Sequence, residues 1–102
     1  MVDRNLKTLG ARLAKADKLL VAVLGYRMAL VRQVGAHKVR NGQKIIRPKV
    51  EYRRIAMVRT LARRYGMNPD FVSALLYLVI TESCRVQIAQ LQSGKSKRKP
   101  KG

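Results

Sequence analysis

From Leu6 onward, one side of the chain follows an unbroken alternation of three and four: Leu6, Leu9, Leu13, Ala16, Leu20, Val23, Arg27, Leu30, Val34 and His37. That spacing is the seam of a long helix, with Asp3 or Asn5 available as its N-cap. Gly10, Gly25 and Gly35 weaken such a helix without forcing it to stop. At 1.5 Å per residue, about 35 residues make a rod of roughly 50 Å. A compact domain of this size spans only about 30 Å, so the pattern predicts that a second copy of the chain covers the rod.

The stretch "VRNGQKIIRPK" breaks the alternation. Asn41-Gly42 signals a turn, and Pro48 suits the first turn of a new helix. A second helix is expected over Lys49–Tyr65, with Glu51, Ile55, Val58, Ala62 and Tyr65 inward and Gly66 just past its end. Arg53, Arg54, Arg59, Arg63 and Arg64 fall mostly outside that stripe. "NPD" opens a third helix, with Asn68 as N-cap, Pro69 at the first helical position and Asp70 complementing the dipole. Its inner stripe is Val72, Leu75, Leu76, Val79, Ile80, Ser83, Val86 and Gln87, and it is expected to fray near Gln92. The sequence thus predicts an all-α, three-helix subunit over residues 1–92. A basic tail over 93–102 cannot bury a core and is expected to be disordered.

Composition sharpens this picture in three ways. The chain has 102 residues, enough for one small domain. Cys84 is its only cysteine, which excludes an intrachain disulfide and makes a reducing cytosol the default. The longest apolar run, "LLVAVLGYRMALV", contains Arg27 and is too short to span a bilayer, and "MVDRNLKTLG" has no apolar core of signal-peptide length. A cytoplasmic protein without a membrane anchor is expected.

Charge adds most. Lys and Arg number 23 against 5 Asp and Glu, a formal net charge of +18. Five of those cations lie in the last ten residues, so the first 92 keep +13. An anionic partner follows: a small polyanion, nucleic acid or an acidic surface.

The polar residues on apolar stripes narrow the choice. Arg27 and Lys38 stand on one face with Val31 and Val34, Glu51 on the second helix, and Ser83 and Gln87 at i, i+4 on the third. Two readings stand. Long cations can lay their stems along a seam with their heads in water, and a first-turn glutamate can simply favour the dipole. Alternatively, the five converge on a polar pocket whose surplus positive charge awaits an anion, because a buried charge is costly unless paired. His37 reads as a capping or packing residue. No Cys/His metal spacing, Gly-rich phosphate loop or serine elbow occurs, so neither a metal nor a cofactor is expected.

Taken in order, "LGARLAKADKLLVAVLGYR", "VGAHK", "VEYRR", "YGMNPDFVSALL" and "ITESCRVQ" resemble the all-helical (type II) chorismate mutases over about Leu6 to Gln92. The resemblance implies an intertwined homodimer in which the long first helices pair and two active sites form, each with one residue of the partner's first helix. It implies an isomerase of the shikimate pathway, in aromatic amino acid biosynthesis, that rearranges chorismate to prephenate without a cofactor. In that pattern Lys38 and Gln87 are the catalytic pair on the ether oxygen. Arg27 binds a carboxylate, Glu51 the ring hydroxyl, and Ser83 lies near a carboxylate.

Three positions depart from the pattern. The first-helix arginine expected seventeen residues before Arg27 is Gly10, the arginine before the helix-two glutamate is Val50, and an acidic position three residues earlier is Arg47. Lys7, Arg47 and Arg54 are the candidate compensating cations, although an ammonium cannot make the two-pronged contact of a guanidinium. Two other functions fit the sequence as well. One is an isochorismate pyruvate lyase of the same fold. The other is a non-catalytic relative that binds acidic metabolites, or nucleic acid weakly through the basic tail.

Overall fold

The computed structural model describes the backbone of residues 4–97 and the side chains of residues 4–94. Those residues form three helices and no strand: α1 (Arg4–Arg40), α2 (Pro48–Arg64) and α3 (Pro69–Lys97). The all-α class expected from periodicity is the one observed.

Local sequence sets the helix ends. α1 closes with the Gln43 N–H donating to the Lys38 carbonyl at 2.9 Å and the Gly42 N–H to the Val39 carbonyl at 3.4 Å. Gly42 takes φ 62°, which costs a glycine nothing. α2 closes in the same way: the Met67 N–H donates to Ala62 at 2.8 Å, the Gly66 N–H to Arg63 at 3.2 Å, and Gly66 has φ 70°. At the start of α3, Asn68 Oδ1 accepts the Asp70 N–H at 2.9 Å, the expected cap. α1 differs at its start, where Asn5 lies inside the helix, while Asp3 lies outside the described residues.

The chain divides into two compact units at Leu30–Val31. Up to Leu30 the unit is α1 alone, and its apolar seam faces solvent: Leu6 is 67%, Leu13 65% and Val23 62% exposed. From Val31 on, the unit contains the end of α1 together with α2 and α3. α2 and α3 pack on each other, and the buried residues include Val31, Gly35, Ile55, Ala62 and Ile80. Ser73, Ser83 and Gln87 are buried among them.

Several stripe positions behave differently from expectation. Tyr65 caps α2 and is exposed, as is Leu75. Arg59, expected on the outside, is half-buried: it donates to Asp70 Oδ1 and to Ser73 Oγ, both at 2.9 Å, and ties α2 to the first turn of α3. α3 also continues past Gln92 to Lys97. Gly94 lies against Val39, whose Cγ1 would stand 3.1 Å from a Cβ there, so the end of α1 gives α3 cover beyond the expected fraying point. Of the tail expected to be disordered, residues 98–102 lie outside the described residues.

By length and composition, α1 and the Pro69–Gly94 part of α3 would each pass as membrane-crossing helices, a test that core helices of soluble proteins also pass.

Candidate active site

Lys38 occupies the last turn of α1, directly before the glycine turn. That turn returns the chain toward the helix it has left. The Ile45 carbonyl comes within 3.1 Å of Lys38 Nζ and accepts one of its protons. A second ammonium proton goes to Gln87 Oε1 on α3, at 3.4 Å. Gln87 is buried and donates its Nε2 to the Val31 carbonyl of α1 at 2.9 Å. An ammonium has three donors and a primary amide two. Lys38 therefore keeps one N–H uncommitted among the described residues, and Gln87 keeps another. The two groups are in contact through Gln87 Oε1, so both spare donors belong to one hydrogen-bonded pair.

Glu51 stands in the first turn of α2, half-buried, where its carboxylate suits the helix dipole. Its Oε1 accepts from the Cys84 thiol of α3 at 3.6 Å. The thiol titrates above its ordinary range. Burial is the main cause, the Glu51 charge and hydrogen bond add to it, and the charge of Lys38 opposes it. Lys38, Glu51, Cys84 and Gln87 thus form one electrostatic cluster. Glu51 and Cys84 also open onto a groove of about 630 Å³, lined further by Tyr77, Thr81, Arg85 and Ile46. Lys38 and Gln87 do not line that groove.

The remaining candidates divide. Ser83 is buried and its hydroxyl donates to the Val79 carbonyl one turn back, at 2.7 Å. Arg47 is the exposed N-cap position of α2, where its carbonyl accepts the Val50 and Glu51 N–H groups, and Arg54 is exposed on the same helix. Val50, where the resemblance calls for arginine, is half-buried. In the unit before Val31, Arg27 is half-buried, Lys7 is exposed, and a Cβ on Gly10 would meet open space. Among the described residues, His, Cys, Asp and Glu form no group able to hold a metal ion.

Sequence reasoning passed over three residues. Cys84 reads as a packing residue until its contact with Glu51 is seen. Gln90 donates to the Arg32 carbonyl at 2.9 Å, and its only signal is its i, i+3 spacing from Gln87. Gly35 reads as a weak point in the seam and is instead buried against α3.

These side chains stand on an all-helical chain, and comparison with known proteins gives its family. A family model for chorismate mutase type II matches residues 9–88, and the chain belongs to that family. Among curated proteins, a 4-amino-4-deoxychorismate mutase of Streptomyces pristinaespiralis is 32% identical over 93 residues, covering 87% of this chain and 69% of that protein.

Proposed function

We propose that this chain is an isomerase that rearranges chorismate to prephenate. In this reaction the ether C–O bond breaks while a C–C bond forms between the enolpyruvyl arm and the ring, in one cyclic shift of electrons. No proton, electron or group leaves the molecule, so the protein needs only to fold the substrate and stabilise charge. Holding the arm over the ring removes much of the entropic barrier. Negative charge that builds on the ether oxygen calls for fixed donors, and each donor of this kind is worth about 10²–10³ in rate.

The observation that carries the proposal is the pair of uncommitted N–H groups on Lys38 and Gln87. Lys38 is held by Ile45 and Gln87, and Gln87 by Val31, so neither must reorganise to meet the oxygen. In this reading Arg27 binds one carboxylate, Ser83 lies near a carboxylate, and Glu51 takes the substituent on the ring. A second copy of the chain covers the exposed seam of α1, since burying a leucine is worth about 1.5–3 kcal/mol and Leu6, Leu9 and Leu13 all remain more than half exposed in the single chain. From that copy Lys7 supplies charge where Gly10 cannot.

A second reading is favoured by the missing cations. Gly10 and Val50 remove two expected guanidinium contacts, and Arg47, which replaces an acidic residue, is exposed. A substrate with an ammonium in place of the ring hydroxyl brings less net negative charge and pairs directly with Glu51. The relative that acts on 4-amino-4-deoxychorismate makes this the natural alternative. The isochorismate pyruvate lyase reading rests on the fold alone.

Incubating the purified protein separately with chorismate, 4-amino-4-deoxychorismate and isochorismate, and identifying the products, tests all three. Prephenate from chorismate is the expected result. Preference for the amino substrate selects the second reading, and pyruvate from isochorismate the lyase. No turnover above the spontaneous rate with any of them leaves a non-catalytic relative.

A further inference from the structure

Gln87 and Gln90 lie three residues apart on α3 and so share a face. Their amides donate to neighbouring main-chain carbonyls of α1, Gln87 to Val31 and Gln90 to Arg32, each at 2.9 Å. A helix carbonyl retains a second lone pair for such a donor. Both side chains pass over Gly35, where a Cβ would fall on Gln90 Oε1 and stand 2.9 Å from Gln87 Cγ. Gly10 and Gly25, on the same helix, have nothing within 4 Å of that position. Only at residue 35 does α1 require a glycine for close approach.

The arrangement carries a cost. Gln90 Oε1 is buried without a hydrogen-bond partner. Turning the amide over would give no remedy, because the oxygen would then face the Arg32 carbonyl. An orphaned buried acceptor is rare enough to call for a reason other than stability.

We propose that Gly35 and Gln90 are positioning residues for the Lys38–Gln87 donor pair, an inference that rests on reading that pair as the contact to the ether oxygen. Without a Cβ at 35, α3 lays its glutamines directly on the α1 main chain. One Gln87 N–H is then committed to Val31, which turns Oε1 toward Lys38 and leaves the other N–H uncommitted. Gln90 grips the adjacent carbonyl and keeps the crossing from slipping. A methyl group at 35 pushes Gln87 Cγ aside, and the shift reaches the amide nitrogen two bonds away.

Gly35→Ala and Gln90→Leu test this through kcat, KM, melting temperature and the ¹⁵N-resolved side-chain amide signal of Gln87. Alanine is the better helix former, so a glycine without a positioning role would leave Gly35→Ala at least as stable and fully active. The expected result is a fall in kcat of about 10- to 100-fold, with KM nearly unchanged. The Gln87 amide proton held by Val31 should also lose its slow exchange with solvent. Gln90→Leu removes the orphaned acceptor together with the donor. It should lower kcat roughly threefold to tenfold with no loss of melting temperature.

Wild-type kcat and an unaltered Gln87 signal in Gly35→Ala would overturn the proposal. So would a loss of kcat that merely tracks the unfolded fraction. If the wild type turns over none of the three substrates, the reading of the site fails, and the Gln87 signal in Gly35→Ala still decides whether glycine 35 sets that amide.

Discussion

The two ends of α1 make a sharp contrast. Before Leu30 its seam is a row of leucines and valines open to solvent, with Leu9 56% and Leu20 52% exposed. From Val31 on, the same helix has two buried residues, Val31 and Gly35. There the groups that neighbours seek are polar: the carbonyls of Val31 and Arg32 and the ammonium of Lys38. The first stretch is regular in pattern and incomplete in packing. The second continues the same spacing, and its polar groups have partners on α3. Apolar area asks only to be covered and accepts any complementary surface, whereas hydrogen bonds fix direction and distance. One helix thus carries an uncovered apolar seam in one stretch and directed polar contacts in the other.

The contrast can be broken at either end. At the polar end, Lys38→Ala should reduce turnover by about 10²–10³-fold or more while far-ultraviolet circular dichroism stays helical. A mutant that unfolds in proportion to its lost rate would make Lys38 a structural residue. At the apolar end, Leu9→Asp with Leu13→Asp should raise the dissociation constant of the expected dimer by at least about 100-fold, seen as a change in mass by sedimentation. An unchanged mass would mean that the seam is not an interface. Gly10→Arg couples the two ends. If the partner's first helix reaches the site, the new guanidinium should raise kcat/KM for chorismate about tenfold, and by less for the amino substrate, which brings less negative charge.

The smallest effect concerns Cys84. Its raised pKa lowers the thiolate fraction at neutral pH, so iodoacetamide should label it more slowly than a free thiol, with the rate still rising above the ordinary thiol range. Glu51→Gln removes a charge that raises that pKa, and labelling should then quicken severalfold. Burial, the larger cause, should keep the rate below that of a free thiol. An identical rate in the two proteins would separate Glu51 from Cys84.

The helices were legible because their limits are local. Asn68-Pro69-Asp70 and the glycines at 42 and 66 satisfy helix-end groups within a few residues, and no distant partner is needed to decide them. The candidate residues were legible as types out of place on a stripe. Their partners were not, since Val31, Arg32, Ile45 and Val79 take part through main-chain carbonyls that every residue possesses. The extension of α3 to Lys97 was hidden for a related reason: the support at Gly94 comes from Val39, distant in sequence.

By itself, then, the sequence determined three helices, the turns that separate them, an excess of positive charge and a short set of polar residues on apolar faces. Each of these follows from periodicity, turn chemistry or composition, which act over one or two helical turns. Only the tertiary structure decided that Lys38 and Gln87 meet, that Cys84 rests on Glu51 and that glycine is needed at 35. Those facts depend on how closely α3 approaches α1 and α2, and that distance is set by side chains far apart along the chain.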